Sequence, residues 1–301
     1  MKKLFFTRAM GFKKGFFLLL AFLFALPAFS TWPQGAGKGY FNISFTYLRY
    51  HELIDGADLQ NGFQHHALQR TVSDHTLNAY FEYGLTERLT LMGDIPYKIM
   101  RTGAELHETK AYPYPGDTVQ AGRLNAMGNV VLGGRYLLSK GDLLWSAQLM
   151  VGMKSAQYQE ASGLRSGYDA WYATPRLRLA KGWGGTYLEA SFGYRYKTNG
   201  YTNDLISDNE FGIRIPRSKD RETWIIIPFG AELPLGQGGY DDGRSVHTGT
   251  YRNGEGFVDV GLKVNHELYK GLTLNLATLG ALWARHGGNE MTLTAGISYD
   301  W

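Results

Sequence analysis

The last eleven residues of this 301-residue chain constrain its fold more than any other stretch. Met291, Leu293, Ala295, Ile297, Tyr299 and Trp301 alternate with Thr292, Thr294, Gly296, Ser298 and Asp300. Successive side chains of a strand point to opposite faces, so one face here is apolar and the other small or polar. The same period of two runs through Phe41, Ile43, Phe45 and Tyr47, and through Leu77, Ala79, Phe81 and Tyr83. Leu143, Trp145, Ala147, Leu149 and Val151 repeat it, as do 171–179, 186–196 and 258–264. No stretch beyond the first thirty residues carries a helical period, so the chain is all-β.

Soluble sandwiches also alternate, and the opposite face decides between the two. Trp171, Ala173, Pro175, Leu177 and Leu179 stand against Tyr172, Thr174, Arg176 and Arg178. A dry core between two sheets does not accept unpaired guanidinium groups, whereas the wet interior of a barrel does. Twelve strands are expected at 39–50, 71–83, 88–98, 126–138, 143–154, 169–181, 185–196, 203–215, 222–232, 255–268, 272–284 and 290–301. A ten-strand count stays open, because 197–254 reads as one strand or two. Short connections at 84–87, 139–142, 182–184, 216–221 and 269–271 alternate with long polar ones at 51–70, 99–125, 155–168 and 233–254. Bacterial barrels have short periplasmic turns and longer extracellular loops, so an even count places both termini in the periplasm. The expected fold is therefore a transmembrane, antiparallel, up-and-down β-barrel of about twelve strands over residues 31–301 in the outer membrane of a Gram-negative bacterium.

Residues 1–30 read as a cleaved signal peptide: a basic start (Lys2, Lys3, Arg8, Lys13, Lys14), an apolar run from Phe16 to Leu26, and Ala28-Phe29-Ser30 as the cleavage site. Five of the 31 Lys and Arg leave with that segment and none of the 27 Asp and Glu, so the remainder is close to neutral and nucleic-acid binding loses its compositional support. There is no cysteine, which fits an exported chain and excludes a lipid anchor on a lipobox. The 39 Gly and 43 aromatic residues (20 Tyr, 16 Phe, 7 Trp) suit twisted strands with aromatic girdles. Among these, Trp145, Trp171, Tyr194, Tyr196, Tyr299 and Trp301 are expected as membrane-interface anchors in preference to a ligand-stacking set.

Three segments resemble known families. Tyr83-Gly84-Leu85-Thr86-Glu87-Arg88-Leu89-Thr90-Leu91 followed by Pro96-Tyr97 resembles the first hairpin of the outer-membrane proteins called the meta-pathway of phenol degradation family. Gly128-Asn129 followed by Leu132-Gly133-Gly134-Arg135-Tyr136 is similar to that family's next strand, where Gly-Asp is more usual than Gly-Asn. Trp32-Pro33-Gln34-Gly35 with Gly37-Lys38-Gly39-Tyr40 is similar to mature N-termini of XagA-type outer-membrane proteins linked to surface glycan production. The resemblance implies an outer-membrane barrel of transporter type for small, often hydrophobic or aromatic, compounds, and it carries over no catalytic motif. A chain ending on the aromatic Trp301 also resembles clients of the barrel-insertion machinery.

A twelve-strand cylinder is about 24 Å across at the backbone, so solutes within it must be small. The inward register holds Glu82, Asp94, Glu189, Asp208, Glu210, Glu232, Asp259 and Glu267, mixed with Arg88, Arg135, Arg176, Arg178, Arg195, Arg214 and Lys263. This near balance argues against a strongly ion-selective pore. Arg135, Arg176, Arg178, Glu189, Arg195, Glu210, Arg214, Asp259 and Lys263 are the lumen-lining candidates. They either form a polar conduit or pair across strands and brace the wall. His65-His66, Asp241-Asp242 and His247 fall on expected extracellular loops and are read as solvated; Ser245 and His247 are only loop neighbours. No enzyme activity, cofactor or metal is expected. The expected partners are outer-membrane lipid and lipopolysaccharide, the insertion machinery and a small solute. The leading function is passage of a small molecule. Behind it stand a structural or accessory barrel of a surface-glycan or export system, and, third, an outer-membrane hydrolase.

Overall fold

The computed structural model describes residues 34–58, 62–107, 118–215 and 221–301. Residues 1–30, expected as a signal peptide, Trp32-Pro33 and most of the 216–221 connection lie outside them. In chain order the strands are β1 (Gly39–Tyr47), β2 (Arg49–Asp58), β3 (Gly62–Gly84), β4 (Leu89–Thr102), β5 (Gly122–Met127), β6 (Val131–Lys140), β7 (Leu144–Gly152), β8 (Tyr158–Gln159) and β9 (Leu164–Arg165). They continue as β10 (Tyr172–Trp183), β11 (Thr186–Lys197), β12 (Asp204–Ile215), β13 (Thr223–Pro234), β14 (Gly256–Tyr269), β15 (Leu272–Gly288) and β16 (Thr292–Asp300). The pairs β1–β2 and β5–β6 each make one wall strand interrupted once, and β8–β9 is a separate small hairpin. The wall is thus a closed antiparallel barrel of 12 strands.

Closure is the pairing of the first strand with the last. Tyr40 lies opposite Asp300 and the ladder runs in register to Tyr47 opposite Leu293, with β2 continuing against the upper part of β15. A closed sheet leaves no row of unpaired backbone groups in hydrocarbon, which is the condition for a β structure to cross a bilayer. Outward residues such as Ile43, Leu77, Leu149 and Phe192 are exposed, while their inward neighbours are covered. Trp171, Tyr194 and Tyr196 stand on the outer face near the long-loop end, and Trp145, Tyr299 and Trp301 near the other, giving two aromatic levels of the kind that hold a barrel at both interfaces.

Several cross-strand pairs explain the glycine content. Phe81 lies opposite Gly93, Tyr172 opposite Gly152 and Tyr187 opposite Gly212, and in each case a Cβ on the glycine would fall about 2 Å from the ring, within its van der Waals surface. The ring covers the glycine backbone, so the sheet bends there without opening.

The strand count and most bounds match the alternation, and 197–254 contributes two strands, β12 and β13. One connection does not match. Most of 51–70, expected as a polar loop, is the extended hairpin of β2 and β3, with Leu53 and Leu68 fully buried. Accordingly His65 and His66 sit on a strand. Arg88, expected to face inward, lies exposed in the turn before β4.

Candidate functional site: a capped barrel with an interior chamber

Two long connections fold back into the barrel. The first, between β7 and β10, carries β8, a 3-10 turn (Glu160–Ser162) and β9; the second, between β13 and β14, carries the 3-10 turn Gly243–His247. They are joined to each other before they meet the wall. The Thr248 hydroxyl donates to the Gly163 carbonyl (2.7 Å), and the Arg165 amide donates to Thr250 Oγ1 (3.1 Å). The Arg165 guanidinium lies 4.2 Å from the Tyr158 ring centre and donates to the Tyr240 hydroxyl (2.6 Å). Gly163 has a positive φ of 69°, and a Cβ there would meet the Arg244 carbonyl oxygen at 2.4 Å, so both backbone conformation and close approach require glycine.

Several contacts hold this two-loop lid against the inner wall, among them the Ser166 hydroxyl, which donates to the Met127 carbonyl (2.7 Å). Leu164 enters an apolar cluster with Tyr50, Leu53, Leu68, Val72, Met100, Leu124 and Ala126. The Tyr50 hydroxyl donates to the Thr248 carbonyl at 2.8 Å. Asn129, in the break between β5 and β6, donates its amide to the carbonyls of Met153 and Tyr168 (both 2.8 Å) and accepts from the Tyr168 amide (2.6 Å). An aspartate at 129 would supply the acceptor and lose both donors, so the Gly-Asn variation noted in the sequence has a structural use.

Below the lid lies a layer of buried charge. Arg195 donates to Glu232 (2.7 Å), and the Lys197 ammonium sits 2.8 Å from Asp204 and 4.3 Å from the Tyr168 ring centre. The Tyr168 hydroxyl in turn donates to Glu255, the residue where the second lid loop rejoins the wall (2.5 Å). Burial is the main force on the Glu255 carboxyl. The Tyr168 hydroxyl and the Lys197 ammonium oppose it, neighbouring Glu232 adds to it, and the group is pushed up to about 7. An acid whose folded pKa is raised stabilises the folded arrangement while protonated; that contribution is complete below its ordinary range and fades as pH rises through the folded value. The lid is therefore expected to hold more firmly at about pH 5.5 than at about pH 8. Glu255→Gln should flatten this dependence, read as the open fraction of channels in a planar bilayer, and an unchanged pH profile in the variant removes Glu255 from the account.

Beneath the charged layer is a chamber of about 710 Å³ in the short-turn half of the barrel. Arg135 donates to Glu82 (2.7 Å), Lys263 to Glu210 (3.0 Å), and Arg178 pairs with Glu189 while also donating to Gln148 (2.9 Å). Arg176 pairs with Asp208. Tyr80 and Tyr187 donate their hydroxyls to Glu82 (2.6 Å) and Glu210 (3.0 Å). A ladder of amides runs along the wall from β1 to β14, Asn42 donating to Asn275 (2.8 Å) and Asn275 to Asn265 (3.0 Å). Tyr40 and Asn265 also line a smaller cavity of about 340 Å³ at the short-turn end, with Glu222, Glu267 and Asp300 around it.

Of the sequence candidates, Arg135, Arg178, Glu189, Glu210, Asp259 and Lys263 line the chamber, and Arg195 belongs to the charged layer. Arg176 does not line the chamber itself but pairs with Asp208, which does, whereas Arg214 stands at the short-turn rim, half-exposed and paired with Glu222 (2.9 Å). His65 is 3.6 Å from Glu52 and hydrogen-bonds Asn289. The Ser245 hydroxyl is fully buried and donates to the Asp242 carbonyl. Among the described residues no group of three His, Asp or Glu is placed to hold a metal. Sequence reasoning missed Leu164, Arg165, Asn129, Tyr168, Glu255 and Gln34. Gln34 reaches from the N-terminal segment to Glu82 (3.3 Å).

With this geometry in place, the barrel can be compared with known proteins. It overlaps the crystal structure of an outer membrane channel from Pseudomonas putida F1 with a TM-score of 0.62 at 12% identity, covering 92% of this chain and 98% of that one. This protein has the fold of an outer-membrane β-barrel. Lower overlaps are found with the beta domain of the Bordetella autotransporter BrkA (TM-score 0.49, 14% identity, 88% and 100% covered). The Pseudomonas putida toluene transporter TodX overlaps less (0.42, 12%, 93% of each chain). Neither a protein-family model nor a curated sequence matches the chain. The P. putida F1 barrel is matched over nearly its whole length, so the likeness of fold is not confined to a shared hairpin.

Proposed function

We propose that this protein is an outer-membrane channel or transporter for small solutes, with both termini on the periplasmic side and no catalytic role. The observation that carries the reading is the wet, charge-paired chamber inside a closed wall, below a lid built from two separate loops. A barrel that served only as an anchor needs no chamber of this size, and a lid attached by a handful of hydrogen bonds and one apolar cluster can leave without unfolding the wall. Resemblance in the hairpin around Tyr83–Leu91 extends the solutes to hydrophobic or aromatic compounds. The short-turn end, the amide ladder and the lid then form one path across the membrane.

The test is reconstitution of the mature chain in planar bilayers and in liposomes. Small-solute flux and discrete conductance steps are expected, more frequent when the lid is loosened. Absence of both, even in a folded variant with its lid released, would sink the channel reading. The lid also favours a second reading, an accessory barrel of a surface-glycan or export system, because a barrel filled at one end need not conduct. Deletion that alters surface polysaccharide and leaves solute uptake intact points to that role. A hydrolase draws no support from Ser245, whose hydroxyl is buried and tied to a backbone carbonyl.

A further inference from the structure

We infer that the chamber is a binding site for an uncharged, hydroxyl-rich solute of saccharide type. The inference rests on the channel reading and, for the chamber itself, puts a polar solute class in place of the hydrophobic or aromatic one that the hairpin resemblance suggests. Charge is the first discriminator. Each cation in the chamber wall already has its carboxylate: Arg135 with Glu82, Arg178 with Glu189, Lys263 with Glu210. An anionic ligand would have to break one of these pairs and strand a carboxylate; among the described residues outside these pairs and Arg176–Asp208, a cationic ligand finds only Asp259, which already accepts a backbone hydrogen bond from Gly230. Breaking such a covered pair costs more than a new exposed contact returns.

Hydrogen-bonding capacity is the second discriminator. Between the ion pairs the wall presents side-chain amides from Gln34, Asn42, Asn78 and Asn265, together with Asp259, which forms no ion pair among the described residues. Amides donate and accept at once, and the carboxylate accepts from a hydroxyl. A hydrocarbon in this space would strip water from these groups and offer nothing in return, whereas sugar hydroxyls replace each lost bond. Tyr40, Tyr80 and Tyr187 supply rings at the same level, against which the apolar C–H face of a pyranose can lie. A volume of about 710 Å³ falls within the range of small-ligand sites. The smaller cavity at the short-turn end shares Tyr40 and Asn265 with the chamber, so a solute is expected to enter from that side.

The experiment is equilibrium binding by titration calorimetry to the mature, folded barrel in detergent, with sucrose, toluene and glucose 6-phosphate as the three probes. Sucrose is expected to bind in the millimolar range or tighter, and the other two at least tenfold more weakly. Asn42→Leu and Asp259→Leu should each weaken sucrose at least tenfold, with folding checked by heat-modifiable migration; Asn42→Gln should retain most of the binding. Toluene binding in preference to sucrose overturns the inference and favours the hydrophobic-solute reading. Preferred binding of the sugar phosphate overturns it too, by showing that an ion pair opens. Binding of none of the probes also overturns it, while conductance in the same preparation would leave the channel reading standing. A barrel that binds sucrose yet never conducts would separate the two in the other direction.

Discussion

Leu164→Asp is expected to release the lid and raise the conductance of the reconstituted barrel severalfold. Leu164 is fully buried and shares its cluster with seven residues from β2, β3, β4 and β5. An ionised carboxylate in that cluster would meet no cation, and burying even a neutral polar group without a partner costs several kcal/mol, roughly 2–7 depending on the surroundings. The hydrogen bonds between lid and wall, among them those of Tyr50, Asn129 and Ser166, contribute about 1 kcal/mol each, so a penalty at the upper end of that range outweighs several of them. The wall has an independent source of stability in its closed ladder, so the lid should leave while the barrel stays folded. Single-channel recording beside heat-modifiable migration makes the distinction. A folded variant with unchanged conductance means that these loops do not obstruct the path.

Arg135→Met should destabilise the barrel by about 3 kcal/mol, the lower part of the range for removing one partner of a buried pair. The Arg135 side chain is 3% exposed and its partner Glu82 10%. Without the guanidinium, Glu82 keeps the Tyr80 hydroxyl and the Gln34 amide and loses the cation it directly pairs with. Adding Glu82→Gln should recover most of the loss, because the unpaired charge is then gone. Urea unfolding of the barrel in lipid vesicles gives both numbers, and a double variant no more stable than Arg135→Met would mean that lost packing, and not lost charge, sets the penalty.

These two sites divide along the line between what was legible in the chain and what was not. Arg135, Arg178, Glu189 and Lys263 were readable as inward because strand parity is a local property: once Tyr136, Leu177, Leu188 and Leu262 face lipid, their neighbours have one place to go. Arg88 escaped the rule by standing one residue before its strand, where parity no longer applies. Leu53 and Leu68 sat in a stretch read as polar loop, and their burial depends on Leu164, more than ninety residues further along. Asn129 was noticed as a variation on a motif, but its purpose is visible only when Met153 and Tyr168 come beside it.

The sequence alone determined most of the wall: period-two alternation with lipid on one side and water on the other sets the strands and most of their inward charges, because each residue answers to its immediate neighbours and solvent, while the choice between ten and twelve strands was left to the tertiary structure. The tertiary structure alone decided the interior. Which carboxylate neutralises which cation, whether loops lie outside the barrel or fold into it, and how much space remains all depend on residues brought together across the lumen from distant strands. No local pattern encodes such meetings, since the chain closes on itself before they exist.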